Sequence, residues 1–324
     1  MTAINLESPL ATYIQDLITL RQACGRDYRS QGLLLGYFDR FLIQEKIKSI
    51  RITRHIIERY QASLLSLTPR GQANRLCVVR QLCQYLTRYD PKTFIPDPMK
   101  AISSYEARKP YIYSSSELDS LMEAALVLPP AGSLRPHTYY TLLGLLHSTG
   151  IRIGEACALN LESFDTSRQC LYIAQGKFHK ARWVALSHST CQALQHYIDQ
   201  RLVKEPNTPD DPLFLNERRK RLCHSTIYST FRPLLDQCNI AHSKQAGPRI
   251  HDLRHSFAVH RLLAWYQDGQ NINARLPMLA TYMGHVDMQS TQIYLRPTAE
   301  LLGHVSDRFH GYYLRTIDPK GGQS

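Results

Sequence analysis

Arg249-Ile-His-Asp-Leu-Arg-His255 is the stretch on which the reading of this chain turns. It follows the helix-breaking pair Gly247-Pro248 and reads as the opening of a helix. His251 and Arg254 then stand three residues apart, so their side chains leave the helix on one face. A helix start also offers unpaired N–H groups to an anion. Arginine presents a planar fork of donors to phosphate, and a nearby imidazole can move a proton near neutral pH. The pair has the makings of a phosphate clamp with an attached base.

Working outward, Met283-Gly-His-Val286 forms a second turn, with Tyr294 in the helix that follows, nine residues after His285. A tyrosine hydroxyl, whose free pKa is about 10, is a weak nucleophile at neutral pH and needs a base and a positively charged phosphate site beside it. Upstream, a leucine-rich helix over 137–147 breaks at Ser148-Thr-Gly150, Arg152 follows, and a short helix resumes over 153–159. Residues 169–174 and 182–186 alternate in character and predict a β-hairpin whose loop carries Lys177, His179 and Lys180. Singly, each has an ordinary reading: a surface arginine, a solvated loop lysine, one of 19 tyrosines. Only the constellation gives them chemistry.

The bulk composition suits a polyanionic partner. Lys and Arg number 39 against 27 Asp and Glu, a formal charge of +12. Residues 1–105 hold 15 basic and 8 acidic side chains and the remainder 24 and 19, so both parts are basic. The eight cysteines form no C-x-x-C pair and read as reduced thiols, with Cys77, Cys83 and Cys157 as small core residues. Met1-Thr-Ala-Ile-Asn lacks the basic and apolar regions of a signal peptide, and no apolar run is long enough for a membrane span, which predicts a cytoplasmic protein without a membrane partner.

Residues 1–92 read as a four-helix domain. Leu10, Tyr13, Ile14, Leu17 and Ile18 give the first apolar face, and Leu33, Leu34, Tyr37, Phe38, Phe41 and Leu42 the second. A third helix spans about 51–65, and Thr68-Pro69 caps a fourth reaching about residue 89. Only Glu58 lies between Arg51 and Arg88, so Arg51, Arg54, Arg70, Arg75 and Arg80 are unmatched by acids in that window and are candidates for the DNA backbone. A proline-rich passage over 93–112 reads as a linker, and Ser114-Ser-Ser-Glu117 supplies a capping box that opens the second domain, 113–324. That domain is mainly helical, with one small sheet, a strand at Leu213-Phe-Leu215, and helices over 187–203 and 225–238.

Thr149-Gly-Ile-Arg152-Ile-Gly-Glu155, Gly176-Lys177, His251-x-x-Arg254-His255, Gly284-His285 and Tyr294, in that order, resemble the tyrosine recombinase (phage-type integrase) family over about residues 113–310. The resemblance implies a mainly α fold with a small β-sheet, in which an N-terminal helical core-binding (SAM-like) domain precedes an α-rich catalytic domain. It implies that Arg152 and Arg254 hold the scissile phosphate and that Tyr294 attacks it, leaving a 3′-phosphotyrosine and a free 5′-hydroxyl. Lys177 would protonate the leaving oxygen, with Lys180 the second choice; His251 would move the tyrosine proton, His285 would bond the phosphate, and Glu155 would buttress the site. No metal or nucleotide cofactor is implied, and no phosphate-cradling Gly-rich loop occurs.

Residues 262–277 are longer than in compact Xer recombinases and, with Tyr294-Leu-Arg-Pro-Thr-Ala-Glu-Leu-Leu302, look more like recombinases of transposons and other mobile elements. Leu301, Leu302, Val305 and Phe309 predict a terminal helix, and the resemblance implies that it docks on a neighbouring protomer rather than on its own domain. The partners implied are double-stranded recombination sites, a homotetramer on two duplexes, and a second recombinase or accessory DNA-bending protein. Xer-like dimer resolution, topoisomerase-like relaxation and a catalytically silent DNA-binding regulator are the alternatives.

Overall fold

The computed structural model describes residues 5–99, 110–174, 181–204, 208–240, 247–285 and 289–295. The chain divides into two compact units, Met1–Lys109 and Pro110–Ser324. Residues 93–96, expected within a linker, lie on the first unit: Phe94 packs against its core and donates its N–H to the Ile52 carbonyl, 2.8 Å away.

The first unit consists of α1 (Ala11–Ala23), α2 (Arg29–Gln44), α3 (Arg54–Ser63) and α4 (Pro69–Leu86). Thr68 caps α4 through its hydroxyl, which accepts the Gly71 N–H, and proline occupies the first turn where no donor is missed. Ile14, Leu35, Phe38, Tyr60 and Leu82 lie in its core, and buried Asp39 holds the chain start by accepting the Glu7 N–H at 2.9 Å. Two residues of the expected α2 face are outside that core. Leu33 and Tyr37 are exposed and Leu35 is buried instead; the Tyr37 ring carries the guanidiniums of Arg75 and Arg40, at 4.2 and 4.6 Å. Cys83 is buried but Cys77 is exposed and Cys157 only partly covered, so helical position alone does not make these thiols core residues.

In the second unit α5 (Ser115–Leu126) begins at the capping box made by Ser114 and Glu117. α6 (Arg135–Thr149) is covered nearly all round: the consecutive residues Thr141, Leu142 and Leu143 point different ways and are all buried, as a leucine-rich helix without a polar face requires. α7 (Ile153–Ala158), β1 (Phe164–Asp165), β2 (Cys170–Ile173), β3 (Arg182–Ala185), α8 (His188–Lys204) and α9 (His224–Gln237) follow. The sheet is antiparallel in the order β1-β2-β3, with Leu171 opposite Val184 and Ile173 opposite Arg182. β1 was not foreseen. The strand expected at Leu213-Phe-Leu215 is absent; single bridges, Asn160 to Pro212 and Leu215 to Arg221, tie that loop down instead.

α10 (Asp252–Gln267) carries the histidine–arginine box at its start, α11 (Ile272–Met283) ends at the next turn, and α12 (Gln289–Gln292) leads into a 3-10 turn over Ile293–Leu295 that holds Tyr294. Tyr294 thus sits in a single 3-10 turn that continues α12, a tighter form of the helix expected for it. Tyr113 fixes the start of α10 by donating its N–H to Ser256 Oγ at 2.9 Å and its hydroxyl to the Arg249 carbonyl at 3.1 Å. Among the described residues, no helix is long and apolar enough to cross a membrane. The predicted hairpin loop with Lys177, His179 and Lys180, and the predicted terminal helix, lie outside the described residues.

Candidate active site

Two helices end on glycines in the left-handed conformation, and the site is built on those ends. Gly150, at φ +62°, terminates α6; a Cβ there would meet Phe257 Cδ1 at 2.3 Å. Gly284, at φ +68°, terminates α11, and a Cβ there would lie 2.9 Å from Arg182 Cζ. Neither turn admits a larger residue without strain.

The end of α11 leaves carbonyls that the helix cannot pair. Main-chain N–H groups of Gly284 and His285 serve Thr281 and Ala280. The next three carbonyls each accept from a different arginine: Tyr282 from Arg182 Nε at 3.0 Å, Met283 from Arg254 at 2.7 Å, Gly284 from Arg152 at 3.0 Å. Guanidinium charge at a helix C-terminus also complements the helix dipole. Arg254 donates its other terminal nitrogen to the Gly150 carbonyl at 2.5 Å, so one side chain joins both glycine turns.

Arg152 stands just before α7, where its N–H donates to Glu155 Oε2 and its guanidinium to Oε1, both at 2.9 Å. Arg182 grips the same carboxylate with both terminal nitrogens, at 3.0 and 2.8 Å. Burial opposes ionisation of Glu155, but Arg182 and then Arg152 outweigh it and hold its pKa down at about 2. Asp252, fully buried, takes a bidentate pair from Arg249 and that residue's N–H. Four guanidiniums therefore face two carboxylates, which leaves a surplus of positive charge suited to an anion.

Tyr294, 4% exposed, lies inside this group. Its ring centroid is 5.4 Å from that of His255 and 6.0 Å from that of His285. Burial pushes its phenol up, while Arg254 and then Arg152 pull it down. His285 Nδ1 shares a hydrogen bond with Thr291 Oγ1 at 2.5 Å. His251 stacks edge-on against His255 at 5.0 Å and is pushed down by burial of its ring and by Arg254. The structure thus brings Arg152, Arg254, His251, His285 and Tyr294 together; Lys177 lies outside the described residues.

Sequence reasoning missed Arg182, which it read only as a strand residue. The available signal was an arginine opening the strand immediately after the lysine-bearing loop. The DNA-backbone candidates also differ from expectation: Arg51 pairs with Asp90 at 2.6 Å, Arg54 lies over the Phe94 ring and Arg80 bonds the Pro96 carbonyl. Their partners come after the window that seemed empty of acids. Arg70 alone of the five makes no such contact with another described residue.

Residues 113–314 match the Phage integrase family. The integrase/recombinase y4rB of Sinorhizobium fredii is 34% identical, with 89% of this chain and 93% of that protein covered. Tyrosine recombinase XerC of Anoxybacillus flavithermus is 27% identical over 84% of this chain and 87% of its own length. The Tn1549 transposon integrase, solved in complex with transposon right end DNA, superposes with a TM-score of 0.64 at 16% identity, covering 92% of this chain and 98% of that one. XerH recombinase, solved on its palindromic difH substrate, gives 0.61 at 19% identity, covering 82% and 74%. This chain belongs to the phage integrase family of tyrosine recombinases.

Proposed function

We propose that the protein is a site-specific recombinase that cuts and rejoins DNA through a covalent 3′-phosphotyrosine at Tyr294. The observation that carries this reading is the convergence of Arg152 and Arg254 on adjacent carbonyls of the α11 turn, with the Tyr294 phenol buried beside them. Each fork still has donors beyond those it gives to the protein, and these serve the nonbridging oxygens as charge builds in the pentacoordinate transition state. Tyr294 attacks phosphorus, its proton passing toward His251; the P–O bond to the 5′-oxygen breaks, and Lys177 supplies that oxygen's proton. His285 bonds the phosphate. The phosphotyrosine keeps the bond energy, so a 5′-hydroxyl from the partner strand reverses the attack without a nucleotide cofactor. The substrates are double-stranded recombination sites, bound by four copies on two duplexes, and the mobile-element role, integration with excision or resolution, follows the likeness to y4rB and the Tn1549 integrase. Similarity to XerC supports dimer resolution as the second reading, which recombination assays on one-site and two-site plasmids separate.

The test uses a nicked suicide duplex carrying the target site. Wild-type protein forms a covalent adduct that survives denaturation, and Tyr294→Phe forms none. An adduct with the phenylalanine variant would falsify Tyr294 as nucleophile.

A further inference from the structure

We propose that Arg182 is a positioning residue for strand cleavage: it occupies the Glu155 carboxylate so that Arg152 meets the DNA phosphate as an unneutralised cation. This rests on the reading of the site as a DNA-cleaving centre.

The three charged groups form a closed ring. Arg182 forks onto both oxygens of Glu155, Glu155 accepts the amide and guanidinium of Arg152, Arg152 reaches the Gly284 carbonyl, and Arg182 Nε returns to the carbonyl of Tyr282 in the same turn. Arg182 lies against Gly284 so closely that a Cβ there would strike its guanidinium. Its side chain is 12% exposed against 23% for Arg152, so Arg182 is the inner cation of the pair and Arg152 the outer. One carboxylate between two guanidiniums leaves one positive charge over. With Arg182 absent, Glu155 and Arg152 become a neutral pair, and the phosphate loses a charge it would otherwise meet in a poorly solvated setting. Arg182 also opens β3, so the same fork fixes the strand that follows the Lys177 loop. It touches neither the proposed nucleophile nor the phosphate site, and its effect passes through Arg152 and the α11 turn.

The experiment measures single-turnover adduct formation on the suicide duplex at saturating protein, beside DNA affinity and melting temperature. Arg182→Gln is expected to slow adduct formation about 10- to 100-fold while DNA affinity holds, since misplacement and loss of charge act on the transition state. Arg182→Lys, which keeps the charge but not the fork, falls between. The deciding variant is Arg182→Gln combined with Glu155→Gln: with the carboxylate gone, Arg152 is again unneutralised and the double variant cleaves several-fold faster than Arg182→Gln alone. A brace without an electrostatic role predicts a double variant no faster than the single one, and that result overturns the proposal. Should Arg182→Gln fail to fold, Arg182→Met, which also removes the charge while keeping an apolar stem, takes its place, and cleavage at the wild-type rate overturns the proposal. A wild-type protein that forms no adduct overturns the reading of the site and this inference with it; an active wild type matched in rate by Arg182→Gln overturns the inference alone.

Discussion

In the first unit Arg51 answers to Asp90 and Arg54 lies over the Phe94 ring, each with a partner of its own. In the second, Arg152, Arg182 and Arg254 divide one carboxylate and three consecutive carbonyls of a single turn. Separately partnered cations can be lost one at a time, each taking with it only its own contact. Cations that share acceptors cannot, because removing one rearranges what the others hold. On the proposed reading, arginines of the first kind would set affinity and those of the second would set rate.

The sharpest way to break this comparison is Arg254→Lys. An ammonium cannot bridge the Gly150 and Met283 carbonyls as the fork does, and adduct formation is expected to drop about 100- to 1000-fold with DNA binding little changed. Equal losses in binding and cleavage would place Arg254 with the first kind. A pH titration tests the same network through stability. Burial, then the charge of His251, holds His255 at about 4, and burial, then His260, holds His147 at about 4, both below the ordinary value of about 6.5. A folded-state pKa depressed in this way leaves stability intact above about 6.5, and the unfolded chain gains protons first as pH falls. Stability should therefore decline between about pH 6.5 and 4, by at most about 1.4 kcal/mol per pH unit for each histidine, and the Glu155 carboxylate, held at about 2, carries the decline further as pH falls below 4. His255→Gln should shallow that decline; an unchanged slope would remove His255 from the account. The smallest effect belongs to Arg70→Ala, which should weaken DNA binding a few-fold, reduce the salt slope by about 1 and leave saturated cleavage unaltered.

How much of this was legible follows from how far each signal reached along the chain. The box at His251 and Arg254 was visible because both its spacing and its glycine–proline entrance are local, and the Ser114 box and the Thr68-Pro69 cap for the same reason. Arg182 was not, since its meaning lies in Glu155, 27 residues back, and the Tyr282 carbonyl, 100 residues on. Apolar periodicity put Leu33 and Tyr37 inside, but it carries no information on which face a cation will cover. Leu213-Phe-Leu215 has strand composition and lacks a neighbouring strand to pair with along its length, which no local pattern reports.

The two glycine turns have a consequence for the chain as it is made. Arg254 reaches back 104 residues to Gly150, and Arg152 reaches forward 132 to Gly284. Closing separations of that length costs chain entropy before any contact repays it. No fragment that stops before the α11 turn possesses an assembled clamp, even with α6, α7 and the start of α10 in place. A truncated or half-folded copy therefore lacks the clamp on which the proposed cleavage depends, a consequence of sequence separation alone.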